Sequence, residues 1–539
     1  MKNLRIRGIA LLLALAVLLT GCSGVNDFWR LMNTYITGNV PVVRFEDMDY
    51  TRPDITAFLD YHAQCVELAQ AGTDFEALEE NIWLLYESYY DFCTMYSLAD
   101  IYYSRDLTDL YWEEEYAWCM ETSAEVDAGM DRLFYVLAES VFREDLERED
   151  LFGQGFFDAY MGESVWDETF TAMMEQEAVL ISHYYDLTGA LMQTEPGTME
   201  YSAAAMELAN LYARLVALRQ EQALYCGYAN YMNFAYEFYY GRDYTPDQEE
   251  LYLSMVQEEL VPLYRRVCTD GVNGITCTAA TEAETFAYVE EVARNMGGRV
   301  EEAFRVLKKG GLYDIGYGEN KYGASFEVFL LNYYEPFIFM NPTLTSYDKL
   351  TFAHEFGHFC NDHASWGSML SIDGGEVFSQ GMEYLSLQYA EDTRELAKMK
   401  MMDSLCVYVE QSAYAAFEQA AYMLYGSELT GQALIDLYLE VTNEYGFDIW
   451  ENNGTDFVTV PHLFTNPMYV FSYVVSNDAA MQLYQMELEE AGAGLAVFEA
   501  NLDSSEYGFL AFLESAGLES PFAQGRLETV RQTFEEILQ

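Results

Sequence analysis

The sequence predicts a mainly α-helical protein with one small β-sheet. Three observations carry this. Apolar and aromatic residues recur at spacings of three and four over long stretches, as at Ile82, Leu85, Tyr86, Tyr89 and Phe92; that is the period of a helix with a buried face. Glycine and proline are sparse in those stretches, so little interrupts them. Only residues 312–341 change texture, with Gly316, Gly318 and Gly323 ahead of two short runs rich in Val, Ile and Phe. With 539 residues, 51% of them hydrophobic, the chain has ample length for a large core of two or three subregions.

Residues 1–22 read as a targeting segment. Lys2, Arg5 and Arg7 form a positive start and Ile9 to Leu19 an apolar run, too short for a membrane span. Leu19-Thr20-Gly21-Cys22 resembles the lipobox of bacterial lipoproteins. That resemblance implies cleavage before Cys22 and acylation (palmitate) of its thiol. The mature protein is then expected on the extracytoplasmic face of the cell membrane, held by an N-terminal lipid anchor. Residues 23–46 show little pattern and read as a tether. Residues 47–180 form an N-terminal helical region, and 181–539 a second region. Within it, 199–265 read as two or three helices, broken at Gly227 and at Tyr244-Thr245-Pro246-Asp247. Residues 281–308 read as one helix that starts at Thr281. The strands fall near 324–331 and 336–340, and long helices return over 384–446. Residues 451–473, with Gly454, Pro461 and Pro467, read as neither helix nor core strand.

The formal charge of −62 argues against a nucleic-acid partner, since nothing would neutralise phosphate. It suits solubility and can draw in cationic peptides. Apart from Cys22 there are eight cysteines, and an even number outside the cytoplasm permits disulfides. Cys268 and Cys277 flank a loop and could pair; free buried thiols fit the apolar settings of the others equally well.

The chemistry concentrates at His354-Glu355-Phe356-Gly357-His358. Two histidines four apart lie on one face of a helix, so both imidazoles can reach one tetrahedral zinc ion. Glu355 points about 100° round the helix, where it can take a proton from a water beside the metal. Ser346 and Asp348 offer N-caps for a helix running to about His363. Leu350, Phe352, Phe356 and Phe359 make that helix apolar on several sides, hence buried. Burying its histidines and glutamate costs free energy unless they are paired or metal-bound. Only six histidines occur, and His354, His358 and His363 fall within one ten-residue stretch. A third ligand is needed, with the fourth position open. The pair Gly374-Gly375 ends a loop, and in the helix that follows Glu376 and Glu383 lie seven apart on roughly one face. Either could ligate; Glu376 is assigned as the ligand and Glu383 as the partner that orients a histidine. Cys360 falls on the wrong face to ligate.

These residues resemble the zinc oligopeptidase family that includes oligoendopeptidase F and thimet oligopeptidase. The match is His354 to His358, then Glu376-Val-Phe-Ser-Gln-Gly-Met-Glu383, with Glu335-Pro-Phe-Ile-Phe-Met-Asn341 before the zinc helix. Gly227-Tyr228-Ala-Asn-Tyr231 and Gly241-Arg-Asp-Tyr244 resemble a helical stretch of the oligoendopeptidase branch. The resemblance covers roughly 180–539 and is weak over the N-terminal third. It implies two helical halves around a deep substrate channel, and one zinc ion per chain held by His354, His358 and Glu376. It implies that Gly323 and Ala324 approach the backbone of an oligopeptide substrate. It also implies that His462, Tyr469 and Tyr473 face the substrate, where neutral imidazole or phenol can donate to a developing oxyanion. The expected activity is a zinc endopeptidase for short unstructured peptides, with Glu355 as general base. A lipoprotein that binds peptide or zinc for a transporter is the alternative; it needs neither Glu355 nor the donors. A single-residue exopeptidase would use the same zinc chemistry.

Overall fold

A computed structural model describes residues 42–538 except 149–150, 161–166, 272–274, 368–369 and 505. Cys22, the targeting segment and most of the expected tether lie outside the described residues. The chain forms two units, a small one of residues up to Asp49 with Arg305–Leu312, and a large one of Tyr50–Phe304 with Tyr313–Gln539. The small unit carries a 3-10 turn, Phe45–Asp47. All that follows concerns the large unit, apart from one helix that runs on from it.

Its first part is three helices: α1 (Thr56–Ala71), α2 (Phe75–Arg105) and α3 (Leu110–Ala138). Asp74 accepts a hydrogen bond from the Ala77 amide at 3.1 Å, and Asp109 one from the Tyr111 amide at 3.0 Å. Both starts are thus capped by a carboxylate at the positive helix end. The periodic residues Phe58, Ile82, Leu85, Phe92, Val126 and Leu133 form their common core. The boundary expected at residue 180 falls inside a helix, Glu168–Leu191. Next comes α4 (Met199–Tyr225), then a helix at Pro246–Glu259. Thr245 and Gln248 close a reciprocal capping box at its start. The single helix expected over 281–308 is two, Glu282–Met296 and Gly298–Gly310. The break is Gly297-Gly298, both at positive φ (71° and 51°), a backbone that glycine adopts without steric cost.

The sheet has three strands in the order β1-β3-β2. Strand β1 (Tyr313–Asp314) pairs parallel with β3 (Glu335–Met340), and β2 (Ser325–Leu330) pairs antiparallel from Ser325↔Met340 to Leu330↔Glu335. β1 was not expected; two residues are too few to show a period. Central β3 is buried throughout, and after Glu335 its sequence is an uninterrupted apolar run. β2 is an edge, with Gly323 and Ala324 exposed just before it.

After the sheet come α5 (Asp348–Ser365) and α6 (Ile372–Tyr389). Neither Ser346 nor Asp348 caps α5. The Asp348 carboxylate instead accepts from the Thr343 and Thr345 amides at 2.9 and 3.1 Å, folding the preceding loop back. Gly374-Gly375 lies in the first turn of α6 rather than before it, because Ser371 is the N-cap. Over 384–446 run Arg394–Cys406, a π-turn at Val407–Gln411, Ser412–Ala421 and Gly431–Glu444. The segment read as non-helical holds a short helix, Pro461–Thr465, and leads into α7 (Val470–Glu489). Pro461 opens that helix at a position where its missing N–H costs nothing. Gly357 sets how closely α5 and α6 pack: a Cβ there would lie 2.3 Å from the Phe378 carbonyl oxygen. All eight described cysteines are free, Cys268 and Cys277 included, and only Cys277 is exposed. Burial raises the other seven thiols, whereas hydrogen bonds to Thr345 and Ser346 lower Cys277. No helix among the described residues is long and apolar enough to cross a membrane.

Candidate metal centre

The spacing of α5 puts His354 and His358 on one face, with ring centroids 5.1 Å apart. The second turn of α6 brings Glu376 opposite. Its Oε2 lies 3.6 Å from His354 Nε2 and 3.8 Å from His358 Nε2. One ligand atom from each residue falls within 4.8 Å of the others. Ligands around a tetrahedral zinc at roughly 2.0–2.1 Å stand about 3.4 Å apart, so the trio fits zinc with a small inward shift. The set also suits zinc chemically: two imidazoles and a carboxylate, a ligand set of catalytic sites that keep one position open. Ser379 donates to Glu376 Oε2 at 2.9 Å and fixes its rotamer.

Behind the trio stands a second row. His354 Nδ1 and Glu383 Oε1 are 2.9 Å apart, which leaves His354 Nε2 available to a metal. Lys400 Nζ meets the other Glu383 oxygen at 2.8 Å. Burial would raise Glu383, but Lys400 and His354 hold it below its ordinary range. Burial likewise would lower His354, but Glu383 and Glu376 carry it up to about 9. At His358 burial outweighs the pull of Glu376 and Glu383 and takes the imidazole down to about 4. Glu355 is buried beside the trio; burial first, then the charges of Glu376 and Glu383, push it up to about 7. A carboxylate poised there can both accept and return a proton near neutrality.

His462, Tyr469 and Tyr473 come together as one cluster. His462 stacks on Tyr469 with centroids 5.3 Å apart, and Tyr473 meets both rings edge-on at 5.8 and 5.1 Å. Burial and the charge of Glu376 raise both phenols, Tyr473 to about 12, and burial lowers His462. All three are therefore neutral donors at ordinary pH, and Glu355 also adds to the Tyr473 shift. Gly323 and Ala324 are exposed at the entry to β2, and a Cβ on Gly323 would meet open space. His363, the third histidine of the stretch, pairs with Glu335 at 3.2 Å and does not join the trio.

No sequence pattern points to Lys400, and Arg242 enters only within the run Gly241-Arg-Asp-Tyr244, without a role of its own. Lys400 sits among methionines in Lys398-Met-Lys-Met-Met402, where a buried lysine has no motif; its burial is the signal, and only the fold shows it.

Comparisons with known proteins complete the description. Residues 45–161 match the family model of the Peptidase M3 N-terminal domain. That match falls on the third where the sequence resemblance was weakest. A structure designated oligoendopeptidase F aligns with a TM-score of 0.77 at 21% identity, covering 92% of this chain and 98% of its own. The chain has the oligoendopeptidase F fold. A second structure so designated, from Bacillus anthracis str. Ames, aligns with a TM-score of 0.73 at 21% identity over 92% of this chain and 98% of its own. PZ peptidase A with an inhibitor shares the same fold, with a TM-score of 0.76 at 20% identity over 92% of this chain and 99% of its own. No curated protein matches.

Proposed function

We propose that this chain is a zinc-dependent endopeptidase that hydrolyses short unstructured peptides. The observation that carries the reading is the company of the trio: a buried carboxylate, Glu355, on one side and neutral phenols, Tyr469 and Tyr473, within electrostatic reach of Glu376. A protein that only stored or passed on zinc would need neither. His354, His358 and Glu376 would hold the metal. Zinc bound there would polarise the scissile carbonyl and make a water acidic.

The chain's own residues supply the rest. Glu355 takes a proton from the attacking water as its oxygen bonds to the carbonyl carbon. Tyr469, Tyr473 and His462 donate hydrogen bonds to the oxyanion as charge gathers on it. The C–N bond then breaks, and Glu355 returns its proton to the leaving amine. Lys400 and Glu383 keep His354 turned towards the metal. The exposed entry to β2 at Gly323 and Ala324 suits an extended peptide that adds its backbone to the sheet edge. A channel between two helical halves would exclude folded proteins. The lipobox supports cleavage before Cys22, acylation there, and action on the outer side of the cell membrane.

A quenched fluorescent peptide assayed with and without a chelator tests this reading. Activity should vanish with the metal and return on adding zinc. Glu355→Gln should keep stoichiometric zinc and lose about 10³-fold in kcat. A fully active Glu355→Gln variant ends the mechanism, and zinc-loaded wild type without cleavage favours the peptide- or zinc-binding lipoprotein.

A further inference from the structure

Tyr469 and Tyr473 sit at the start of α7, and what holds that start in place lies outside the metal centre. Met468, just before Tyr469, has φ of 68°, a left-handed backbone that a non-glycine residue adopts only under constraint. Both ends of this residue are gripped. Its amide donates to Glu418 Oε1 at 3.0 Å, and its carbonyl accepts from Arg242 Nη2 at 2.8 Å. The same nitrogen donates to Ser472 Oγ, also at 2.8 Å, one residue before Tyr473. Tyr240 donates to the Pro467 carbonyl at 2.8 Å.

Arg242 also faces the metal-ligand helix. Its Nε lies 3.7 Å from Asp373 Oδ2, three residues before Glu376, and Tyr244 donates to that same oxygen at 3.0 Å. The guanidinium is buried among three phenol rings, those of Tyr236, Tyr240 and Tyr244, with centroids 4.4, 4.7 and 5.4 Å away. Among the described residues its Nε and Nη1 have no hydrogen-bond partner. A buried cation so placed is expensive to keep for stability alone, because apolar side chains of the same volume would serve as well or better.

We infer that Arg242 is a positioning residue. With Glu418 it holds Met468 in its left-handed conformation, and it ties the donor segment to the helix that carries Glu376. The distance between the two phenols and the metal ligands is thereby fixed before substrate arrives. The inference rests on the peptidase reading, since it concerns where the oxyanion donors stand.

Arg242→Lys tests it. One ammonium cannot serve Met468, Ser472 and Asp373 at once, as the planar fork does. Zinc content and the far-ultraviolet spectrum should stay at wild-type values. kcat should fall about 100-fold, as for a donor misplaced by about 1 Å, while KM stays within about threefold. In a Tyr469→Phe, Tyr473→Phe background the same substitution should cost less than about threefold more, because the donors it aims are gone. Should Arg242→Lys not fold, Ser472→Ala reads the same coupling with one hydrogen bond removed. Full kcat in an active enzyme, a loss that follows zinc content, or an equal loss without the tyrosine hydroxyls would each overturn the inference alone. Zinc-loaded wild type with no peptidase activity would overturn the underlying reading, and this inference with it.

Discussion

Lys400 is the residue whose removal should separate metal affinity from fold. It is buried and its ammonium meets Glu383 at 2.8 Å, so it sets the charge of the carboxylate that holds His354. Lys400→Met keeps most of the volume and removes the charge. Glu383, buried without that partner, would then titrate upward and lose its hold on the imidazole. Zinc affinity should drop about 10–100-fold, as measured by competition with a chromogenic chelator, while helix content stays unchanged. The residue scale also shows why sequence reveals one part of the site and hides another. His354, Glu355 and His358 belong to one turn of one helix, so their mutual placement follows from the rise and rotation per residue. Lys400, Arg242 and Asp373 act across elements far apart in the chain, and no local spacing encodes that. Glu376 and Glu383 are intermediate: their shared face is local, but which one meets the imidazole Nε2 atoms depends on how α6 lies against α5.

The close approach of α5 and α6 turns on Gly357. In the sequence it is a spacer between two histidines; in the fold it is where one helix backbone touches the next. Gly357→Ala would drive a methyl into the Phe378 carbonyl, with neither side free to move as a side chain could. The helices must part, and Glu376 is carried by the one that retreats. The variant should lose stoichiometric zinc and melt at a lower temperature, by about 1–3 kcal/mol or more in stability. Wild-type zinc content in Gly357→Ala would mean that the two backbones tolerate separation. Element ends were harder to read than element existence. Gly297-Gly298 cuts a helical pattern that is otherwise continuous, since a positive φ leaves no trace in hydrophobic period. Pro461 and Pro467 read as breakers, yet proline is also well placed at the first turn of a helix, and Pro461 opens one. β1 escaped notice because its two residues gain their place from β3 alone.

At the scale of the molecule, the dominant feature is charge. With 89 acidic against 27 basic residues, the protein presents a field that attracts cations and repels anions. For the proposed peptidase, peptides rich in lysine or arginine should be cleaved with higher kcat/KM than acidic peptides of equal length. That ratio should shrink by about tenfold between roughly 10 mM and 500 mM salt, as the screening length falls to a few ångströms. A salt-independent ratio would place selectivity in local pockets instead. The overall architecture was legible from the 3.6-residue period, the sparse glycine and proline, and the single change of texture before α5. The N-terminal helices were legible as helices but carried no motif, because packing tolerates many sequences where chemistry tolerates few.

The free cysteines have a practical consequence. Among the described cysteines, burial raises seven thiols, whereas Cys277 alone is exposed and has its pKa lowered. An alkylating dye used sparingly near neutral pH would therefore mark Cys277 ahead of the other seven described thiols. Its attachment point lies against the loop that leads into α5, so a fluorophore there could report loading of the centre by colour or lifetime, with no engineered cysteine.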